Sequence, residues 1–204
     1  MRRKEFTVTE EEEISRFLQG MSFGFLGTVG PDGRPRVTPL NFVYVDGCFY
    51  FHGSYAGEKM KHLQGSDVVS FTVADEYALI PSYFEDPEMA CPATSYFKSV
   101  TASGRAEAVR DLDEKARIFT SFMSKLQPQG GYAPIDPQDD RYRVALKAVS
   151  LTRIVPDSIT AKFKFGQNLE QTDRESLIRQ LEDRGQNRDQ ETADLMRQYC
   201  PYHK

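Results

Sequence analysis

The chain has 204 residues, a formal net charge of −4 at neutral pH and an apolar share of 39%. No run approaches the ~18 apolar residues of a membrane span, and the acidic balance argues against nucleic acid or anionic lipid as a partner, so neither is expected. Three cysteines, Cys48, Cys91 and Cys200, without CxxC spacing point to reduced thiols in a cytoplasmic protein, and the basic start lacks the apolar core of a secretory signal.

Thr9 and four following glutamates precede Ile14, Phe17 and Leu18, the pattern of a capped first helix ended by Gly20. "FGFLGTV" and "RPRVTPLNFVYV" read as strands joined by "GPDG", a tight reversal and therefore an antiparallel hairpin. "VDG" turns the chain into "CFYFH", and "GSDVVSFTVAD" is a further strand. Residues 76–94 are polar, contain proline and lack a period, as a lid or binding loop would. "SYFKSVTASGRAEAVR" resumes strand character, and "DLDEKARIFTSFMSKL" is a helix with Ile118, Phe122 and Leu126 on one face.

A loop, "QPQGGYAPIDPQDD", then leads into "YRVALKAVSLTRIVPDSITAKF", which reads as one or two strands broken at Pro156-Asp157. From residue 172 charge dominates, and two short helices are expected to pack weakly or on a partner chain. The organisation expected is a domain over 1–171 and a charged helical extension over 172–204. Five or six strands, mostly hairpin-joined, predict a mainly β (α+β) fold: an antiparallel six-stranded barrel with peripheral helices.

The stretch "FHGSYAGEKMKHL" concentrates the chemistry. Ser54 can cap a helix from about Ala56 to Leu63 whose apolar face is Ala56, Met60 and Leu63. The unpaired amides of its first turn form an anion pocket, towards which Lys59 can reach back. Lys61 lies about 200° round from Lys59 at ~100° per residue, so one anion cannot use both. The alternative is a solvated helix start with surface lysines. Gly27, Gly30 and Gly33 do not match GxGxxG, and no helix follows them. His52, His62 and His203 with the cysteines complete no tetrahedral metal set, and neither GxSxG nor HExxH occurs.

The order "GFLGTVGPDGRPRVTPLNFVY", "DGCFYFHGSYAGEKMKHL", "SDVVSFTV", "YFKSVTASGRAEAVRDLDEKARIF" resembles the pyridoxamine 5'-phosphate oxidase-related family of flavin-binding split barrels. "FHG", "GEK" and "SVTASGRAE" are most similar to its nitroimidazole-reductase-like branch, over about residues 12–167. "KFKFGQN" is similar to a lysine-rich strand end in a flavin-binding regulator branch. The resemblance implies a split barrel and a homodimer with one FMN in each of two grooves between subunits. It lays Pro39, Leu40, Asn41 and Phe42 along the flavin ring and sets His52, Gly53, Ser54 and Lys59 at the ribityl phosphate. Ser99 falls on a later flavin-side strand, and Arg36 on the phosphate or the ring. Glu58-Lys59 stands where pyridoxamine phosphate oxidases carry a basic pair, and "CPYHK" lacks their C-terminal substrate signature, which points away from vitamin B6 oxidation.

The activity so implied is an FMN oxidoreductase that passes electrons from a donor such as NAD(P)H to a small nitroaromatic- or quinone-like acceptor. His52 either donates a proton to the acceptor, as the catalytic residue, or only orients the flavin. Tyr83, Phe84, Tyr96 and Phe97 are candidate walls for the acceptor. The rival reading is a protein that senses or stores flavin without turnover; a haem or a deazaflavin in the same groove is a third.

Overall fold

Residues 3–202 are described by the computed structural model. In chain order the elements are β1 (Thr7–Val8), α1 (Glu11–Gly20), β2 (Phe23–Val29), β3 (Pro35–Asn41), β4 (Val43–Val45), β5 (Cys48–Gly53), α2 (Glu58–Gly65) and β6 (Val68–Ile80). There follow β7 (Thr94–Val109), α3 (Leu112–Leu126), α4 (Asp140–Ala148), β8 (Ser150–Lys164), α5 (Gln171–Arg184) and α6 (Asp189–Gln198). The sheet runs β3-β2-β6-β7-β8-β5-β4 with β1 on β8, so the path ends at β3 and β4. The mainly β, antiparallel class with peripheral helices is as expected. Two short strands, β1 and β4, bring the count to eight rather than six.

The chain forms two compact units. The first comprises Glu10–Val73 and Thr101–Ile159. Its β2–β3 hairpin pairs Phe23 with Asn41 through Val29 with Pro35, and Gly33 takes the turn at φ 74°. Direct pairing sets partners on one face, so Leu26 and Leu40 point inward while Phe25, Pro39 and Val37 point outward. Inside, the Phe42, Phe49 and Phe71 rings meet at centroid distances of 5.1–5.9 Å. A neighbouring cluster packs α3, through Ile118 and Phe122, on Val43, Tyr50 and Leu151. Asp111 caps α3 by accepting from the Glu114 amide at 2.7 Å, and Leu126, at its far end, is exposed.

The second unit comprises the chain up to Thr9, Ala74–Val100, and the chain from Thr160 onward. Here α5 and α6 do not pack weakly. Leu177, Leu181, Ala193 and Met196 are buried, and Tyr199 stacks on Phe165 at 5.5 Å. Arg174, only 2% exposed, donates to the Phe165 and Gly166 carbonyls.

Four local expectations are corrected. The first helix starts at Glu11 without a side-chain cap; Glu11, Glu12 and Glu13 stand in its first turn, where the dipole favours acids. Strand β6 continues to Ile80 through Asp75, because Arg188 pairs with that carboxylate at 2.8 Å and lies 3.6 Å over the Tyr77 ring. "DRYRVALKA" is α4 rather than strand, begun by Asp139 accepting from the Arg141 amide at 2.9 Å. Strand β8 passes unbroken through Pro156, and Gly104 admits it: a Cβ there would stand 2.1 Å from the Val155 carbonyl oxygen.

Candidate functional site

Strand β5 delivers His52 and Gly53 to a bend, and α2 starts five residues later. The Ser54 hydroxyl accepts from the Ala56 amide at 3.1 Å, so it shapes the bend rather than capping the helix. Gly57 precedes the helix at φ 119°, a conformation that suits glycine, and no side chain caps the end. The first helical bond runs from the Lys61 amide to the Gly57 carbonyl. Among the described residues the amides of Glu58, Lys59 and Met60 are therefore left for an outside acceptor. The helix thus starts two residues later in the chain than the expected start at Ala56.

The face that α2 buries also differs. Ala56 lies before the helix, while Met60 and Leu63 are half-buried. The fully buried residue is His62, whose Nδ1 meets the Thr28 hydroxyl at 2.9 Å and so ties the helix to β2. His203, weighed above with Cys200, lies outside the described residues.

Lys59 folds back over the end of β5. Its ammonium sits 4.8 Å from the centre of the Phe51 ring and 3.4 Å from where a Gly53 Cβ would be. Burial holds its pKa below the usual lysine range, and it makes no ion pair among the described residues. Lys61, by contrast, is exposed. Arg36 reaches the same helix start, but with its guanidinium against Glu58 at 3.4 Å and Asp32 at 3.6 Å. Glu58 was not singled out in the sequence as a partner of Arg36; its position in the first turn of an uncapped helix was the available signal.

His52 is exposed on one side and covered on the other by Phe122 and Phe119, at ring distances of 4.9 and 5.4 Å. That covering, followed by the charge of Lys59, lowers its pKa from the ordinary 6.5. The two phenylalanines come from α3, some 70 residues on, and no local pattern announces them. Pro39 and Asn41 show their side chains on the outer face of β3, whereas Leu40 and Phe42 turn theirs into the core. Asn41 donates its side-chain amide to the Ser22 carbonyl at 3.0 Å, and the Phe42 amide uses the same carbonyl at 3.1 Å. The geometry thus brings Arg36, His52, Gly53, Ser54 and Lys59 to the bend and the start of α2. Ser99 is half-buried on the β7 segment of the second unit.

The outer face of the β2–β3 hairpin is apolar and bare. Phe23, Phe25, Val29 and Val37 are 42–68% exposed there, and β3 is an edge strand. Of the candidate acceptor walls, Tyr83 is exposed, Phe84 lies under the Arg184 guanidinium at 5.2 Å and Tyr96 is buried against Phe165.

Residues 10–163 match the family model described as pyridoxamine 5'-phosphate oxidase. A curated relative, protease synthase and sporulation protein PAI 2 of Bacillus subtilis (strain 168), is 27% identical over 201 residues, covering 95% of this chain and 94% of its own. Among solved structures, the flavocytochrome Anf3 from Azotobacter vinelandii superposes with a TM-score of 0.65 at 24% identity, over 79% of this chain and 70% of that one. A candidate 5-nitroimidazole antibiotic resistance protein from Bacteroides thetaiotaomicron gives 0.60 at 22% identity, over 76% and 85%. An FAD and haem binding protein from Mycobacterium smegmatis gives 0.62 at 16% identity, over 79% and 74%. No helix among the described residues is long and apolar enough to cross a membrane.

Proposed function

Since the chain belongs to the pyridoxamine 5'-phosphate oxidase family, we propose that it is a homodimeric flavoprotein that holds FMN at the start of α2 and uses it as a cytoplasmic oxidoreductase. One observation carries this reading: an uncapped helix start, with the amides of Glu58, Lys59 and Met60 unpaired, stands beside a half-buried ammonium that has no carboxylate partner among the described residues. A phosphate monoester suits both. The Lys59 ammonium lies close over Gly53, 3.4 Å from where a Cβ there would stand. Arg36 neutralises Glu58, so the carboxylate in the first turn does not oppose a phosphate.

Flavin and haem in the names of solved relatives favour a cofactor in this fold, and a helix start with a nearby ammonium, which suits a terminal phosphate, favours FMN among them. The bare apolar face of β2 and β3 supports dimerisation, since an exposed sheet edge flanked by two phenylalanines invites a second copy.

Bound FMN supplies reversible electron transfer between a donor such as NAD(P)H and a small nitroaromatic- or quinone-like acceptor. The chain's own groups do the rest. Lys59 and the α2 amides bind the phosphate. The outer edge of β3 at Pro39 and Asn41 offers a strip for the ring, with Leu40 and Phe42 holding the strand from inside. The lowered pKa of His52 favours its neutral imidazole, whose N–H can orient a hydrogen-bond acceptor. That same neutrality favours the positioning role over a stored proton for the acceptor.

The test has two stages. FMN is titrated into the protein with flavin fluorescence as the readout, and the loaded protein is then given NAD(P)H with a nitroaromatic or a quinone. Saturable quenching followed by multiple turnovers supports the oxidoreductase. Saturable quenching without reduction by any donor moves the assignment to a flavin-binding protein without turnover. Absence of quenching, with haem or a deazaflavin bound instead, removes FMN from the account.

A further inference from the structure

The second compact unit contains a cavity of about 470 Å³ that the flavin reading does not use. Its size lies within the range of small-molecule sites. Lys162 and Lys164 stand two residues apart on β8 and therefore point to the same side of the strand, into this cavity, where Arg3 joins them. Lys162 lies over the Phe97 ring at 5.1 Å and the Phe6 ring at 5.7 Å, and Lys164 donates to the Thr94 hydroxyl. None of the three cations makes an ion pair among the described residues.

Their mutual effect is repulsive: burial, then the charges of Lys162 and Arg3, hold the Lys164 pKa below the usual lysine range. Glu85 is the single acid in the lining. The remaining wall mixes apolar side chains, Ile80, Leu169 and Leu177, with the polar Thr94 and Asn168. Three cations gathered against a single carboxylate, beside apolar side chains, leave an excess of positive charge that an anion with an apolar body offsets. The two side chains leave the strand about 6.6 Å apart at the backbone, and on flexible stems both ammonium groups can meet one dianion, whereas a single carboxylate neutralises only one of them.

We propose that this cavity binds a small phosphate monoester with an apolar body, its phosphate held between Lys162 and Lys164. Phenyl phosphate is the probe, with phenol, benzoate and inorganic phosphate as comparisons, titrated calorimetrically into the full chain saturated with FMN. The wild type should bind phenyl phosphate saturably, phenol not at all, and benzoate and inorganic phosphate more weakly. Lys162→Gln/Lys164→Gln should lose at least about tenfold in affinity, from the loss of charge-assisted bonds. Lys162→Gln alone, which keeps the Lys164 bond to Thr94, should lose part of it.

Lys59→Ala, measured without FMN, separates the two sites: phenyl phosphate binding kept in that variant and lost in the double lysine variant supports the proposal. Binding that disappears in Lys59→Ala but survives in the lysine variants would assign the phosphate to the α2 site and overturn it. So would benzoate binding as tightly as phenyl phosphate, or no saturable binding at all.

Discussion

Replacing Lys59 with alanine removes one ammonium from the proposed phosphate site, and the surroundings decide how much that costs. An exposed lysine paired with a phosphate in water contributes about 0–1 kcal/mol, because the bulk solvent screens it and the long side chain must be ordered. Lys59 is differently placed. It is half-buried, already held over the Phe51 ring at 4.8 Å, and has no competing carboxylate among the described residues. It therefore belongs with charge-assisted hydrogen bonds of about 1.5–3 kcal/mol, a loss of roughly 10- to 150-fold in affinity. The assay is the dissociation constant of FMN by fluorescence quenching, with riboflavin measured alongside. Riboflavin, which lacks the phosphate, should bind Lys59→Ala and wild type alike. Lys61→Ala, on the exposed side of the same helix, should leave FMN affinity within about twofold. Equal losses for FMN and riboflavin, or an unchanged FMN constant in Lys59→Ala, would refute the assignment of this ammonium to the phosphate.

Lys115 is 2% exposed and donates to the Leu146 and Val149 carbonyls at 2.6 and 2.7 Å, closing the C-terminal end of α4. Lys115→Met keeps the stem but leaves both carbonyls without their donor, and should lower unfolding free energy by about 2–4 kcal/mol in denaturant titration; a loss under about 0.5 kcal/mol would mean that water replaces the ammonium. Lys125 is pushed down to about 8 by burial, against an ordinary 10.5. Its folded form releases the proton first, so the unfolded chain binds more protons between those values and this group's contribution to stability rises with pH from about 8 to 10.5. Subtracting the curve of Lys125→Met from that of wild type should expose the rise, and a flat difference would rule it out. By NMR titration His52 should show a pKa below 6.5 in wild type and a higher one in Lys59→Ala, since the neighbouring positive charge is gone; no upward movement would separate the two groups.

Much of the fold is legible because its signals are local. "GPDG" between two alternating segments fixes the β2–β3 hairpin, and Asp111 followed by apolar residues at helical spacing fixes α3. What escaped the reading depends on residues far away in the chain. Asp75 and Glu76 break the alternation of β6, and only Arg188 explains why a strand tolerates that carboxylate. Val144 and Val149 pull "YRVALKAV" towards a strand, yet Asp139 and the run Ala145, Leu146, Lys147 make it a helix whose end Lys115 then holds. Pro156 looks like a break until Gly104 on the neighbouring strand gives it room. At the proposed site the same division holds. That a helix follows the bend, and that Lys59 lies on the side facing back to it, follows from glycine, charge and helix geometry; the start at Glu58 and the role of Ser54 in the bend do not. The covering of His52 by Phe119 and Phe122, the burial of His62 beneath Thr28 and the pairing of Arg36 with Glu58 are products of packing.

The most direct test observes the α2 amides themselves. In a 15N-labelled sample, adding FMN should shift the amide resonances of Glu58, Lys59 and Met60 and slow their hydrogen exchange, while riboflavin should leave the three nearly unmoved. If FMN binds and these three amides stay where they are, the phosphate sits elsewhere and the flavin assignment built on the start of α2 is wrong.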